Sequence, residues 1–236
     1  MTVALARRAL AEFVGTAFLV ATVVGSGIAA VRLSPHDVGL QLLENSLVTG
    51  AALVALILAL QPVSAAFNPV VSMVERLLGE LDNLAAIVLI ASQVAGGCLG
   101  AIVANLMFGL PAVTLSAHHR TGAGLWLAEV VATFGLVLLV LATLRGDRAD
   151  RVAYVVGGYI VAAYWFTSST SFANPAVTIA RTLSDSFAGI APRSAPMFVL
   201  MQVVGGLLGL AVIRGLHPAT KDSPEPSALD QGAVHD

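Results

Sequence analysis

The chain is 236 residues long, 57% hydrophobic and only 11% charged, with a formal net charge of −2. That composition is far from the soluble average and leaves too little polar surface for a water-soluble globule. The near-neutral balance excludes a nucleic-acid partner, and the single cysteine, Cys98, excludes an internal disulfide framework.

Taken in chain order, the first apolar stretch runs from Ala9 to Val31 behind Arg7 and Arg8. It is too long for the core of a signal peptide and has no clean small-residue cleavage site, so it reads as a span. Further stretches follow at Leu40 to Leu60, Leu84 to Phe108, Leu125 to Leu144, Val152 to Phe166 and Met197 to Ile213. Most reach or approach the ~20 residues a helix needs to cross a bilayer. The fifth is short but carries Tyr154, Tyr159, Tyr164 and Trp165, aromatics typical of a span's interfacial ends. The tail from His217, with Pro218, Pro224 and Pro226 among polar residues, reads as a disordered cytoplasmic end over 217–236, leaving 1–216 as one membrane domain. With both termini cytoplasmic, the inner loops hold Arg7, Arg8, Arg76, Arg145, Arg148, Arg151, Arg214 and Lys221, and the outer loops hold Arg32, Arg120, Arg181 and Arg193. This excess agrees with the positive-inside rule and predicts a multi-pass protein of the cell's inner (plasma) membrane.

An internal repeat runs through the spans. Ala11-Glu12-Phe13-Val14-Gly15-Thr16 is echoed by Ala128-Glu129-Val130-Val131-Ala132-Thr133. Asn68-Pro69-Val70 is matched by Asn174-Pro175-Ala176. Gln93-Val94-Ala95-Gly96-Gly97-Cys98-Leu99-Gly100 is matched by Gln202-Val203-Val204-Gly205-Gly206-Leu207-Leu208-Gly209. Three features in the same order define a repeat, from about 5 to 110 and about 122 to 214. Each copy holds an odd number of spans, so the second must insert inverted, which places a functional site near the midplane at the repeat interface.

Asn is a favoured N-cap and Pro fits the first helical position. The apolar-rich runs Pro69 to Leu78 and Pro175 to Leu183 are too short to span and read as re-entrant half-helices. Folding in from opposite faces, they bring two positive dipole ends to the centre, opposing cations and protons, while the Asn amides donate into a pore. Glu12 and Glu129, early in their spans, are expensive in lipid and face inward. They are expected to accept backbone N–H groups of the re-entrant loops; a proton relay is the competing role. His118, His119 and Arg120 read as a solvated outer loop, since adjacent His residues make a poor metal site.

These paired Glu, Asn-Pro and Gln-x-x-Gly-Gly-x-x-Gly motifs, spread from about Leu5 to Arg214, resemble the major intrinsic protein family of aquaporins and aquaglyceroporins. The resemblance implies an all-α membrane protein of six transmembrane helices plus two re-entrant half-helices in inverted three-span repeats. It also implies a homotetramer with one pore per subunit and no cofactor or metal. The paired glycines then fit close helix crossings.

Departures from the family pattern bear on the filter. Val70 stands where the first motif usually has Ala, expected beside the central constriction. Val63 to Phe67 lacks the family's usual His and is one residue shorter. Val177 follows Asn174-Pro175-Ala176 where the family has the Arg that binds permeants and repels cations. By spacing, Thr49 and Ser171 take two more filter positions. The fifth-span position is Ala162 by an ungapped count or Tyr164 if aligned from Gly157. With Ala162 the filter is small and uncharged, wide enough for solutes bulkier than water. Arg181, one turn beyond Val177, either lines the outer vestibule or snorkels to the interface.

Thr49, Val177 and the run from Ser169 to Val177 also resemble the bacterial aquaporin S-like branch associated with arsenic resistance. That resemblance implies passage of neutral arsenous acid, with glycerol, urea and water fitting the same filter. The expectation is a passive channel for small uncharged solutes and not an enzyme, since no nucleophile or metal cluster falls at membrane depth. A water-selective aquaporin and a secondary transporter, which also uses inverted repeats and broken helices, are the alternatives.

Overall fold

The protein is described by a computed structural model over residues 2–216; the expected tail, 217–236, lies outside the described residues. The helices are α1 (Val3–Leu33), α2 (Val38–Leu60), α3 (Pro69–Leu78), α4 (Asn83–Met107), α5 (Ala123–Arg145), α6 (Val152–Phe166), α7 (Pro175–Ala180) and α8 (Ala195–Leu216). Their starts follow from local chemistry. The side chains of Asp37 and Asp82 accept the N–H groups of Leu40 and Ala85 to open α2 and α4, and Asn68 and Asn174 do the same for α3 and α7. The short α3 stops at Gly79, whose φ of 85° is the left-handed conformation that glycine adopts without strain.

Five of these helices, α1, α2, α4, α5 and α8, are long and apolar enough to cross a membrane. The sixth, α6, has 15 residues, about 22 Å of helix. A 3₁₀ turn at Ala149–Arg151 leads into it and adds about 6 Å, which brings the segment close to the ~30 Å of a hydrocarbon core. Large apolar side chains such as Phe18, Leu47, Ile87, Leu127 and Leu200 are exposed on the outer faces, where a bilayer would cover them.

The two halves pack by the same rule. α1 lies along α4 and α2, and α5 lies along α8 and α6. The halves are then joined by α2 against α6, and by each half-helix resting on the last span of the other half: α7 on α4, and α3 on α8. The paired glycines make this possible. A Cβ on Gly96 or Gly100 would overlap the carbonyl oxygens of Phe13 and Ala17 in α1. A Cβ on Gly205 would overlap the Val130 carbonyl of α5. The intervening Gly97 and Gly206 face the half-helices, against Ala180 and Val70 respectively. So the motif serves two contacts at once, one glycine pair for the neighbouring span and one glycine for the re-entrant segment.

Because the obstacle at Gly96 is backbone, it cannot swing aside. Gly96→Ala is expected to destabilise the protein by about 1–3 kcal/mol, the usual range for overpacking, read as a lowered melting temperature in detergent. Gly158→Ala, where nothing lies within 4 Å of the added carbon, should be neutral or slightly stabilising because Ala favours helix.

Candidate functional site

The loops ahead of α3 and α7 leave helical structure in the middle of the protein, so their N–H groups need partners. Two carboxylates provide them. Glu12 accepts the N–H groups of Ala66 (2.9 Å) and Phe67 (2.7 Å), the Ser64 hydroxyl, and the Gln93 amide (2.8 Å). Glu129 accepts the N–H groups of Phe172 and Ala173 (both 3.0 Å) and the Gln202 amide (2.6 Å). Each Gln also donates to a hydroxyl one turn into its half-helix, Gln93 to Ser72 and Gln202 to Thr178. Both carboxylates are fully buried.

These anchors hold an unfavourable backbone. Phe67 and Ala173, each just before its Asn, have φ of 48° and 49°, a region uncommon for residues with a side chain. In that conformation their carbonyls face the opposite loop. The Asn68 amide donates to the Ala173 carbonyl (2.8 Å) and the Asn174 amide to the Phe67 carbonyl (2.7 Å). The side-chain oxygens meanwhile accept from their own half-helices, Asn68 from Val70 N–H and Asn174 from Ala176 and Val177 N–H. The two half-helix N-termini are thus tied nose to nose by a reciprocal pair of hydrogen bonds.

A cavity of about 90 Å³ runs beside this junction, and Asn68, Asn174, Thr49, Tyr164, Ser171 and Val177 are on its wall. The prolines Pro69 and Pro175 and the residues after them, Val70 and Ala176, are not. Val70 is turned into an apolar cluster with Val74, Val137 and Leu210, away from the constriction it was expected to border. The prolines begin the half-helices.

Of the two fifth-span candidates, Tyr164 lines the cavity and Ala162 does not. Residues two apart on a helix point to nearly opposite faces; Tyr164 is buried on the cavity wall, whereas Ala162 is exposed on the outer face. The Tyr164 hydroxyl lies 3.3 Å from the Thr49 hydroxyl. At this level the cavity wall therefore carries a phenol and not the small Ala162 side chain.

Arg181 does not snorkel. It is 2% exposed, its Nε donates to the Ala188 carbonyl, and its guanidinium sits 3.4 Å from the centre of the Phe172 ring. It lines the central cavity and also a second one towards the 109–122 loop. Arg120 was expected in a solvated loop but is half-buried. It reaches the same ring at 5.1 Å and donates to the Gly189 carbonyl. Burial pushes its pKa below the ordinary value, opposed by the charge of Glu129 and by Tyr164. The loop is drawn inward by backbone bonds, Thr114 N–H to the Leu183 carbonyl and Ala191 N–H to the His118 carbonyl. No local signal in the sequence announces such long-range contacts. His118 stays exposed, 4.0 Å from Asp185. Among the described residues no group of His, Cys, Asp and Glu is placed to hold a metal.

Two half-helices joined at the midplane of an inverted-repeat bundle, beside a narrow cavity, define a transmembrane channel for small solutes, with the aquaporin-like fold. The family model described as "Major intrinsic protein" matches residues 1–168 and 147–234, and the chain belongs to that family. It is 48% identical over 213 residues to the aquaglyceroporin AqpS of Rhizobium meliloti (strain 1021), covering 90% of this chain and 91% of that one. It is 30% identical to the aquaporin AqpM of Methanothermobacter marburgensis, covering 87% and 95% respectively. The X-ray structure of the aquaglyceroporin from Plasmodium falciparum superposes with a TM-score of 0.70 over 90% of this chain and 98% of that one, at 20% identity, and supports the fold. The family's members are passive channels, so the chain is not an enzyme.

Glu12→Ala should leave the N–H groups of Ala66 and Phe67 without an acceptor. At about 1–3 kcal/mol for each buried orphan, the melting temperature in detergent should drop well below that of wild type. Glu12→Gln, which retains one acceptor oxygen, should lose less. A Glu12→Ala protein melting like wild type would remove Glu12 from the bracing role.

Proposed function

We propose that the chain is a passive, bidirectional channel for small uncharged solutes such as glycerol or arsenous acid, and for water. The observation that carries this reading is the cavity wall. From the Asn pair to the level of Val177 it offers hydroxyls, amides and apolar groups, and the one charged side chain on it is Arg181, a turn beyond Val177. Such a wall replaces the hydrogen bonds of a polyol while giving an inorganic cation no negative charge to offset its dehydration. The name of the 48%-identical relative, an aquaglyceroporin, supports the same solute class.

Asn68 and Asn174 are read as the pore centre. Each amide has two N–H groups and spends one across the junction, leaving the other for a passing solute. Together with the half-helix dipoles they oppose cations and protons. Thr49, Tyr164, Ser171 and Val177 are read as the filter, and Glu12 and Glu129 as the braces of the two loops. The carboxylates spend their oxygens on backbone N–H and amide groups, which speaks against a proton relay and against ion-coupled transport. The whole of 1–216 is read as one channel domain that assembles as a homotetramer in the inner membrane, with both termini cytoplasmic.

Water selectivity is the second reading, and Tyr164 favours it, since its bulky phenol stands on the cavity wall, hydrogen-bonded beside Thr49. Stopped-flow light scattering on proteoliposomes against empty liposomes separates the two. Solute channels show rapid glycerol and arsenous acid uptake with a low activation energy; rapid water flux with solute at background would establish water selectivity instead. Val177→Arg should narrow the filter and cut solute flux by about tenfold or more, a barrier increase of ~1.4 kcal/mol, with a smaller effect on water. Equal loss of both would count against a filter whose width is set at position 177.

A further inference from the structure

Arg181 and Arg120 share one aromatic ring and neither is ion-paired with a carboxylate among the described residues. A guanidinium has five N–H donors. Arg181 directs only Nε to a described residue, the Ala188 carbonyl, so its two terminal nitrogens are uncommitted although the side chain is 2% exposed. Buried charge without a counter-ion is costly, and here it is concentrated where the central cavity meets the second one, whose wall also carries Arg120, Gln41, Asn45 and Thr170. The nearest acid felt by both guanidiniums is Glu129, and its oxygens are occupied by Phe172 N–H, Ala173 N–H and Gln202. The other acids on this side are Asp37, which caps α2, Glu44, which accepts the Ser34 hydroxyl, and Asp185, which accepts Ala117 N–H and faces His118; none of them forms an ion pair with Arg120 or Arg181.

We propose that Arg181 and Arg120, held on the Phe172 ring, form a cationic collar at the loop-side mouth that binds the anionic group of a small oxyacid. The proposal rests on the channel reading for its consequence, which is that monoanionic acids compete with neutral solutes at this mouth. Recognition follows from the donors: the terminal nitrogens of Arg181 present a planar fork that matches a carboxylate or another oxyanion. The ring orders both guanidiniums, a cation–π arrangement strengthened by exclusion of water. Val177, one turn deeper, leaves the space that a charged side chain there would fill.

Glycerol and glycerate share a carbon skeleton and differ by the carboxylate, so they make the test. Replacing sodium chloride by sodium glycerate at equal ionic strength and pH 7 should raise the melting temperature of the detergent-solubilised wild type and slow glycerol uptake into proteoliposomes. Arg120→Gln and Arg181→Gln should each raise the half-effective glycerate concentration by about tenfold or more, as expected for loss of a charge-assisted hydrogen bond. Arg181→Lys should keep part of the response. If Arg181→Gln fails to fold, Arg120→Gln decides, since that side chain is half-exposed. Glycerate behaving like chloride in wild type, or Arg120→Gln responding like wild type, would overturn the collar. A wild type that passes no glycerol, but whose glycerate-induced melting shift is lost in Arg120→Gln, would overturn the channel reading and leave the collar standing.

Discussion

Backbone that leaves a helix in the middle of a bilayer finds no water, and each N–H left there without a partner costs several kcal/mol. The channel depends on meeting that demand twice. Glu12 and Glu129 each take two consecutive N–H groups of a re-entrant loop, and only with those loops held can Phe67 and Ala173 keep their left-handed conformations. Those conformations in turn aim the carbonyls that receive the amides of Asn174 and Asn68. The chain of dependence therefore runs from a buried carboxylate, through backbone geometry, to the junction of the half-helices and the cavity beside it.

The bundle around this core is organised to admit the half-helices. Each rests on the last span of the opposite repeat, and each contact is made at a glycine of the Gln-x-x-Gly-Gly-x-x-Gly segment, Gly97 for α7 and Gly206 for α3. The Gln at the head of that segment reaches the Glu brace and a hydroxyl of the half-helix in the same step. A single motif thus sets the spacing between spans, receives the re-entrant segment and completes its polar network. That explains why Gln and the glycines recur together in both halves.

Symmetry breaks at the two mouths, and function resides in the break. The echoed residues build equivalent halves, but Arg181 and Arg120 have stacked on Phe172 at one mouth only. Val177 and Arg181 lie one helical turn apart, so the cavity wall is uncharged at Val177 while a guanidinium stands just beyond it. The Tyr164 phenol, hydrogen-bonded to Thr49, is a neutral part of the same cavity wall.

The chain by itself determined the membrane class, the inverted repeat, the two half-helix starts and the paired carboxylates. Each of these is written in local chemistry: apolar length, Asn before Pro, a charge where lipid forbids one. The tertiary structure alone decided which face of α6 lines the cavity, because Ala162 and Tyr164 are both acceptable in an apolar helix and only packing against α2 chooses between them. It also decided that Val70 packs into the bundle instead of bordering the pore. Arg120 and Arg181 illustrate the limit most clearly, since they meet through a loop folded across more than sixty positions of chain. Long-range contact of that kind leaves no periodicity or motif behind, and it is decided by how the loop's backbone bonds close over α7.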